Sequence, residues 1–140
     1  MSMKEVEFYI DGASKGNPGP SGIGVVVCRN GETVKNISSF IGNATNNVAE
    51  YTALIYALEE ALVLKAESVK VNTDSQLLYR QLKRIYKVKN ENIAHLFIRV
   101  QGLINSFKHF CIINIPRERN SGADKLATKA VKDHFRKDGL

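Results

Sequence analysis

The chain has no tryptophan, only two cysteines and three prolines, and no apolar run approaching the roughly 20 residues of a membrane span. Two cysteines are too few for a disulfide framework. Cys28 and Cys111 both sit in apolar, strand-like runs, which predicts buried, reduced thiols. No apolar signal segment stands behind Met1-Ser2-Met3-Lys4, and no membrane association is expected. A cytoplasmic protein is the resulting expectation. Repeats, low-complexity tracts and linkers are also missing, so residues 1–140 read as one domain with no obligate protein partner evident. Acidic residues are the scarcer sign: 14 Asp and Glu against 20 Lys and Arg leave a net charge of +6. Such an excess fits a polyanionic partner such as nucleic acid, or solubility alone.

What is present has a clear order. Val6, Phe8 and Ile10 alternate with polar neighbours, predicting a strand that ends near Asp11. Three glycines and two prolines in residues 12–20 predict an irregular tight turn. Residues 23–28 and 33–41 read as strands joined at Asn30-Gly31, a hairpin signal. From Asn47 the period changes: Ala49, Ala53, Ala57 and Ala61 recur at every fourth position beside Leu54, Leu58 and Leu62. That predicts a central helix of about five turns. A fourth strand covers 69–73, helices cover 75–85 and 91–107, a fifth strand covers 110–115, and a last helix covers 123–135. The order βββαβααβα is α/β, a mixed sheet with helices packed against it.

Four acidic residues fall at element boundaries: Asp11, Glu50, Asp74 and Asp124. If the first and fourth strands are parallel neighbours, Asp11 and Asp74 meet at their ends. Each like-charged pair at ~4 Å costs about 4 kcal/mol at an effective dielectric of ~20. A convergent set therefore makes sense only around a hard cation, and Mg²⁺ prefers oxygen ligands. Taken singly, each acid has another reading. Asn47 to Glu50 and Ser121 to Asp124 have capping-box spacing, Asp74 could cap a helix, and Asp11 could be a turn residue.

The motifs then resemble a family. Tyr9-Ile10-Asp11-Gly12 followed by Gly16-Asn17-Pro18-Gly19-Pro20, Thr45-Asn46-Asn47-Val48-Ala49-Glu50, Thr73-Asp74-Ser75-Gln76 and Asn120-Ser121-Gly122-Ala123-Asp124-Lys125-Leu126-Ala127 are similar, in this order, to the blocks of type 1 ribonuclease H. The resemblance implies a ribonuclease H-like fold, a five-stranded mixed sheet in the order 3-2-1-4-5 with helices on both faces. It implies an endonuclease that hydrolyses the RNA strand of an RNA–DNA hybrid by two-metal-ion catalysis with Mg²⁺, Mn²⁺ being possible. Asp11, Glu50, Asp74 and Asp124 would be its metal-binding and catalytic set. Substrate contacts are expected from Gly12, Ser14, Lys15, Asn17, Thr45, Asn46, Asn47 and Gln76. Gly12, Gly16 and Gly19 would let a nucleic-acid strand approach the backbone, and the 2′-hydroxyl would distinguish RNA from DNA.

Two departures mark a short variant resembling archaeal-type and some bacterial members. The loop before the last acid, Pro116-Arg117-Glu118-Arg119-Asn120, has no histidine. The resemblance implies that Arg117 takes that role. The segment between the fourth and fifth strands is shorter than the basic handle of familiar members. It still carries Arg84, Lys87 and Lys89 with Tyr79 and Tyr86 nearby, a pattern suited to phosphate contact or to a solvated helix face. A binding module without catalysis, or a resolvase or integrase core on the same scaffold, are the competing functions. Intact acids oppose the first, and the Gly16-to-Pro20 loop with Asp74-Ser75-Gln76 opposes the second.

Overall fold

A computed structural model describes residues 4–138, and the N-terminal Met1-Ser2-Met3 lies outside the described part. The elements are β1 (Glu5–Ser14), β2 (Gly19–Arg29), β3 (Glu32–Ala44), α1 (Asn46–Val63), β4 (Ser68–Thr73), α2 (Gln76–Leu82), α3 (Glu91–Ile104), β5 (His109–Asn114), a 3₁₀ turn at Arg117–Arg119, and α4 (Ser121–Asp138). The sheet order is β3-β2-β1-β4-β5, the order the motifs implied. β1 lies antiparallel to β2 and parallel to β4, which in turn is parallel to β5.

Alternation along the strands separates two faces. Phe8 and Ile10 of β1 share a face with Ile23, Val25 and Val27 of β2, and all are fully buried with Leu54 and Leu58 of α1. Burying an aliphatic or phenyl side chain contributes roughly 1.5–3 kcal/mol, so this row fixes α1 against the sheet. The small Ala53, Ala57 and Ala61 are fully buried in the same helix. On the opposite face α4 packs over β2, β3 and β1. The edge strand β3 stays largely exposed, which explains its imperfect alternation in the sequence.

Several boundaries differ from those expected. β1 does not stop near Asp11, because Gly12, Ala13 and Ser14 pair with Ile23, Gly22 and Ser21 of β2. The irregular stretch shrinks from 12–20 to the four residues between the two strands. α2 ends at Leu82, short of 85, because Arg84 adopts a left-handed backbone with φ of 61°. α3 ends at Ile104, short of 107, and α4 starts two residues before 123. The turn at Arg117–Arg119 was not anticipated. Both cysteines are free, but neither is buried: Cys28 is half-buried, and Cys111 is exposed on the edge strand β5.

Gly24 lets α4 approach the sheet. A Cβ there would stand 2.2 Å from the Ala123 carbonyl oxygen and 2.7 Å from the Ala127 nitrogen, both backbone atoms that cannot swing away. Exposed Gly102 of α3, by contrast, has nothing within 4 Å of such a Cβ. Gly24→Ala should therefore lower stability by about 1–3 kcal/mol, whereas Gly102→Ala should raise it by roughly 0.5–1 kcal/mol. Urea unfolding of the two variants checks this, and equal midpoints would contradict the packing described.

Candidate functional site

Parallel pairing of β1 with β4 runs from Glu5 opposite Ser68 to Ile10 opposite Thr73. The next residue on each chain is an acid, so Asp11 and Asp74 stand at the same level of the sheet. Gly12 follows, and its missing side chain is required by α1: a Cβ would lie 2.4 Å from the Ala49 carbonyl carbon and 2.6 Å from the Glu50 nitrogen. This contact brings Glu50 beside Asp11 and Asp74, and the Gly12 N–H donates to Glu50 Oε1 at 3.1 Å. Asp11, Glu50 and Asp74 offer carboxylate oxygens within 4.8 Å of one another. Asp124, in the first turn of α4, lines the same cleft and acts on the Asp11 carboxyl from the other face.

For α1 and α2 the capping alternatives are taken by other residues. Thr45, not Asn47, caps α1, its hydroxyl accepting from the Val48 N–H. Ser75, not Asp74, caps α2. Asp11 lies within a strand and not in a turn. The cluster is mostly secluded from water, with Asp11 and Glu50 6% and 5% exposed. Burial first, then Asp74 and Asp124, pushes the Asp11 carboxyl up to about 8, against the opposing pull of the Gly12 N–H. Burial, then Asp11 and Asp74, holds Glu50 well above the ordinary carboxylate range. Among the described residues no Lys or Arg forms an ion pair with Asp11, Glu50 or Asp74. Like charges gathered without an ion-paired cationic side chain fit a divalent cation, which is what such a donor set can hold.

The acids floor a cleft of about 660 Å³. Its walls include Gly12, Ser14 and Asn17 from the β1–β2 arm, Asn46 from α1 and Arg117 from the 3₁₀ turn. Asn17 ties the arm to the helix: its Oδ1 accepts from the Asn46 N–H at 2.9 Å. Thr45, Asn47, Gln76 and Lys15 do not line this cleft, although each adjoins a residue that does. Arg84 and Lys87 line a separate cavity of about 420 Å³ with Phe97, and Lys89 lines neither. The Arg84 guanidinium sits 5.9 Å from the Phe97 ring centroid.

Sequence reasoning missed Asn120 as an organiser. Buried to 1% exposure, its Nδ2 donates to the Ile10 carbonyl at 2.8 Å and to Asp74 Oδ2 at 3.2 Å. It thus ties the start of α4 to both acid-bearing strands. The only signal was its place four residues before Asp124 within a motif block. Ser75 and Thr128 also line the cleft without having been singled out for it.

A mixed sheet of this order, with acids where the pairing of its two central parallel strands ends, defines the ribonuclease H-like class of fold. A family model described as reverse transcriptase-like matches residues 9–130, and the chain belongs to that ribonuclease H-type family. Ribonuclease HI of Halobacterium salinarum is 40% identical over 129 residues, 91% of this chain. The chain spans 65% of that relative's length and 35% of the length of equally identical mycobacterial relatives. The crystal structure of RNase H1 from Halobacterium salinarum superposes with a TM-score of 0.90 at 38% identity, covering 92% of this chain and 98% of that one. LC11-RNase H1, solved in complex with an RNA/DNA hybrid, gives a TM-score of 0.88 at 38% identity, covering 93% and 99%.

Metal-free stability should respond to the cluster. The unfolded Asp11 carboxyl titrates near 3.9, whereas the folded one is pushed up to about 8. Between those values the folded chain keeps a proton that the unfolded chain releases. The cluster's contribution is therefore intact below about pH 4 and lost as pH rises towards about 8. In chelator, Asp11→Asn should flatten the fall in melting temperature across this window and melt above wild type at its upper end. Superimposable pH profiles of the two proteins would contradict the repulsion.

Proposed function

We propose that the chain is a metal-dependent endoribonuclease, a single domain over residues 1–140, that hydrolyses the RNA strand of RNA–DNA hybrids. The observation carrying this reading is the three-carboxylate cluster where the β1–β4 pairing ends, within a chain 40% identical to a ribonuclease HI. Asp11, Glu50, Asp74 and Asp124 would hold two divalent ions, Mg²⁺ or Mn²⁺. When bound, these ions supply Lewis-acid stabilisation of the attacking and leaving oxygens of a phosphodiester displacement. Asn120 orients Asp74, and the Gly12 N–H orients Glu50, so the ligand set is held by the fold before any ion arrives.

Around that floor the chain's own groups bind and orient. Ser14, Asn17 and Asn46 present hydrogen-bonding groups along the cleft, with Thr45, Asn47 and Gln76 beside them. Such groups read sugar hydroxyls and groove shape, which separate a hybrid from either pure duplex. The short Arg117–Arg119 turn carries Arg117 to the cleft wall, where a cation can stabilise the departing phosphate. Arg84, Lys87 and Lys89 would add phosphate contacts away from the cleft. The unpaired thiols of Cys28 and Cys111 support a reducing, cytoplasmic setting. No helix among the described residues is long and apolar enough to cross a membrane.

A labelled RNA–DNA hybrid, incubated with Mg²⁺ or chelator beside matched RNA–RNA and DNA–DNA duplexes, tests the reading. Cleavage should be confined to the RNA of the hybrid and abolished by chelator. Asp74→Asn should lose nearly all cleavage while keeping the fold. Arg117→Ala should slow turnover by roughly 10²–10³-fold with a smaller change in hybrid binding. Full activity in Asp74→Asn would overturn the assignment of the acids.

A further inference from the structure

Beside the acid cleft, on the α4 side of the β1–β2 arm, lies a second groove of about 610 Å³. Lys15, Val131, Lys132, Phe135 and Arg136 are among its lining residues. It shares Ala13, Ser14 and Thr128 with the acid cleft, so the two have a common wall. Thr128, Lys132 and Arg136 recur at every fourth position and therefore form one stripe of α4. Lys132, Phe135 and Arg136 lie in none of the motif blocks.

Its charge is the reverse of its neighbour's. Among the described residues no acid lines the groove, and Lys15, Lys132 and Arg136 form no ion pair. Lys129, elsewhere on the same helix, is paired with Asp133. Phe135 is 44% exposed, and Lys15 Nζ stands 5.8 Å from its ring centroid. Cations along a groove with an exposed aromatic ring are the chemistry that follows a nucleic-acid strand, the cations taking phosphates and the ring a base or sugar.

We propose that this groove is a phosphate-binding subsite for the RNA strand of the hybrid beyond the acid cleft, formed by Lys15, Lys132 and Arg136 with Phe135 packing on a sugar or base. The inference rests on the reading of the acid cleft as a hybrid nuclease. An RNA strand lying over the acids passes the Ser14 and Thr128 wall and meets cations on its far side. A second copy of the chain or an acidic peptide would have no reason to follow that shared wall.

Lys132→Ala combined with Arg136→Ala provides the test, since both side chains are exposed and thermal unfolding verifies the fold. Steady-state kinetics with Mg²⁺ over a salt series would compare a short hybrid that spans the cleft alone with a long one extending past it on both sides. On the long hybrid KM should rise roughly tenfold and the salt slope should fall by about one to two units. There kcat should stay within about twofold, because the contacts hold ground and transition states alike. The short hybrid should be unaffected, and Lys132→Arg with Arg136→Lys should restore the long-hybrid KM. An unchanged KM and slope on the long hybrid, or an equal rise on the short one, would overturn the subsite. If wild type cut no hybrid, the cleft reading would fail instead. Fluorescence anisotropy of the labelled long hybrid would then judge the groove, and equal affinity of wild type and double variant would overturn it.

Discussion

Parallel pairing of β1 with β4 sets Asp11 and Asp74 at one level of the sheet, and every other feature of the site answers the repulsion this creates. Two carboxylates so placed, with a third from α1, oppose folding unless protons or cations neutralise them. Among the described residues no Lys or Arg forms an ion pair with these three acids. The chain supplies polar groups that fix the acids: the Gly12 N–H on Glu50 and the Asn120 amide on Asp74. Rigidity in the absence of a compensating cation is the arrangement expected of a preorganised ligand set.

The scaffold around that pair is built for close approach. Gly12 admits the first turn of α1, and Gly24 admits α4 from the opposite face. Both helices therefore deliver an acid to the same strand ends from the two sides of one sheet. The apolar row of Phe8, Ile10, Ile23 and Val25 against Leu54 and Leu58 supplies the burial that offsets the electrostatic cost. Charge is then partitioned in space: acids are gathered in the central cleft, while cations lie along α4 beside it and along the α2–α3 connection.

Much of this was legible in the sequence because it depends on local pattern. Alternation in β1 and the four-residue alanine spacing in α1 follow from which side chains face the core. The acids' convergence required the strand order, which came from the resemblance of the motif blocks. What was not legible depends on pairing between distant segments. β1 continues past Asp11 only because residues 12–14 find partners in β2. α2 stops early because Arg84 reverses the backbone, a position where no glycine announces a turn. Asn120 acquires its role only when α4 begins beside Ile10 and Asp74. The basic groove joins Lys15 to residues near the chain's other end, beyond the reach of any sequence spacing.

The central claim is that the buried acids form a divalent-cation site. Titration calorimetry of Mn²⁺ into the protein without nucleic acid addresses it directly, with Asp11→Asn as the comparison. The account predicts a saturable heat in wild type that is strongly weakened in the variant. Identical titrations of the two proteins would contradict it.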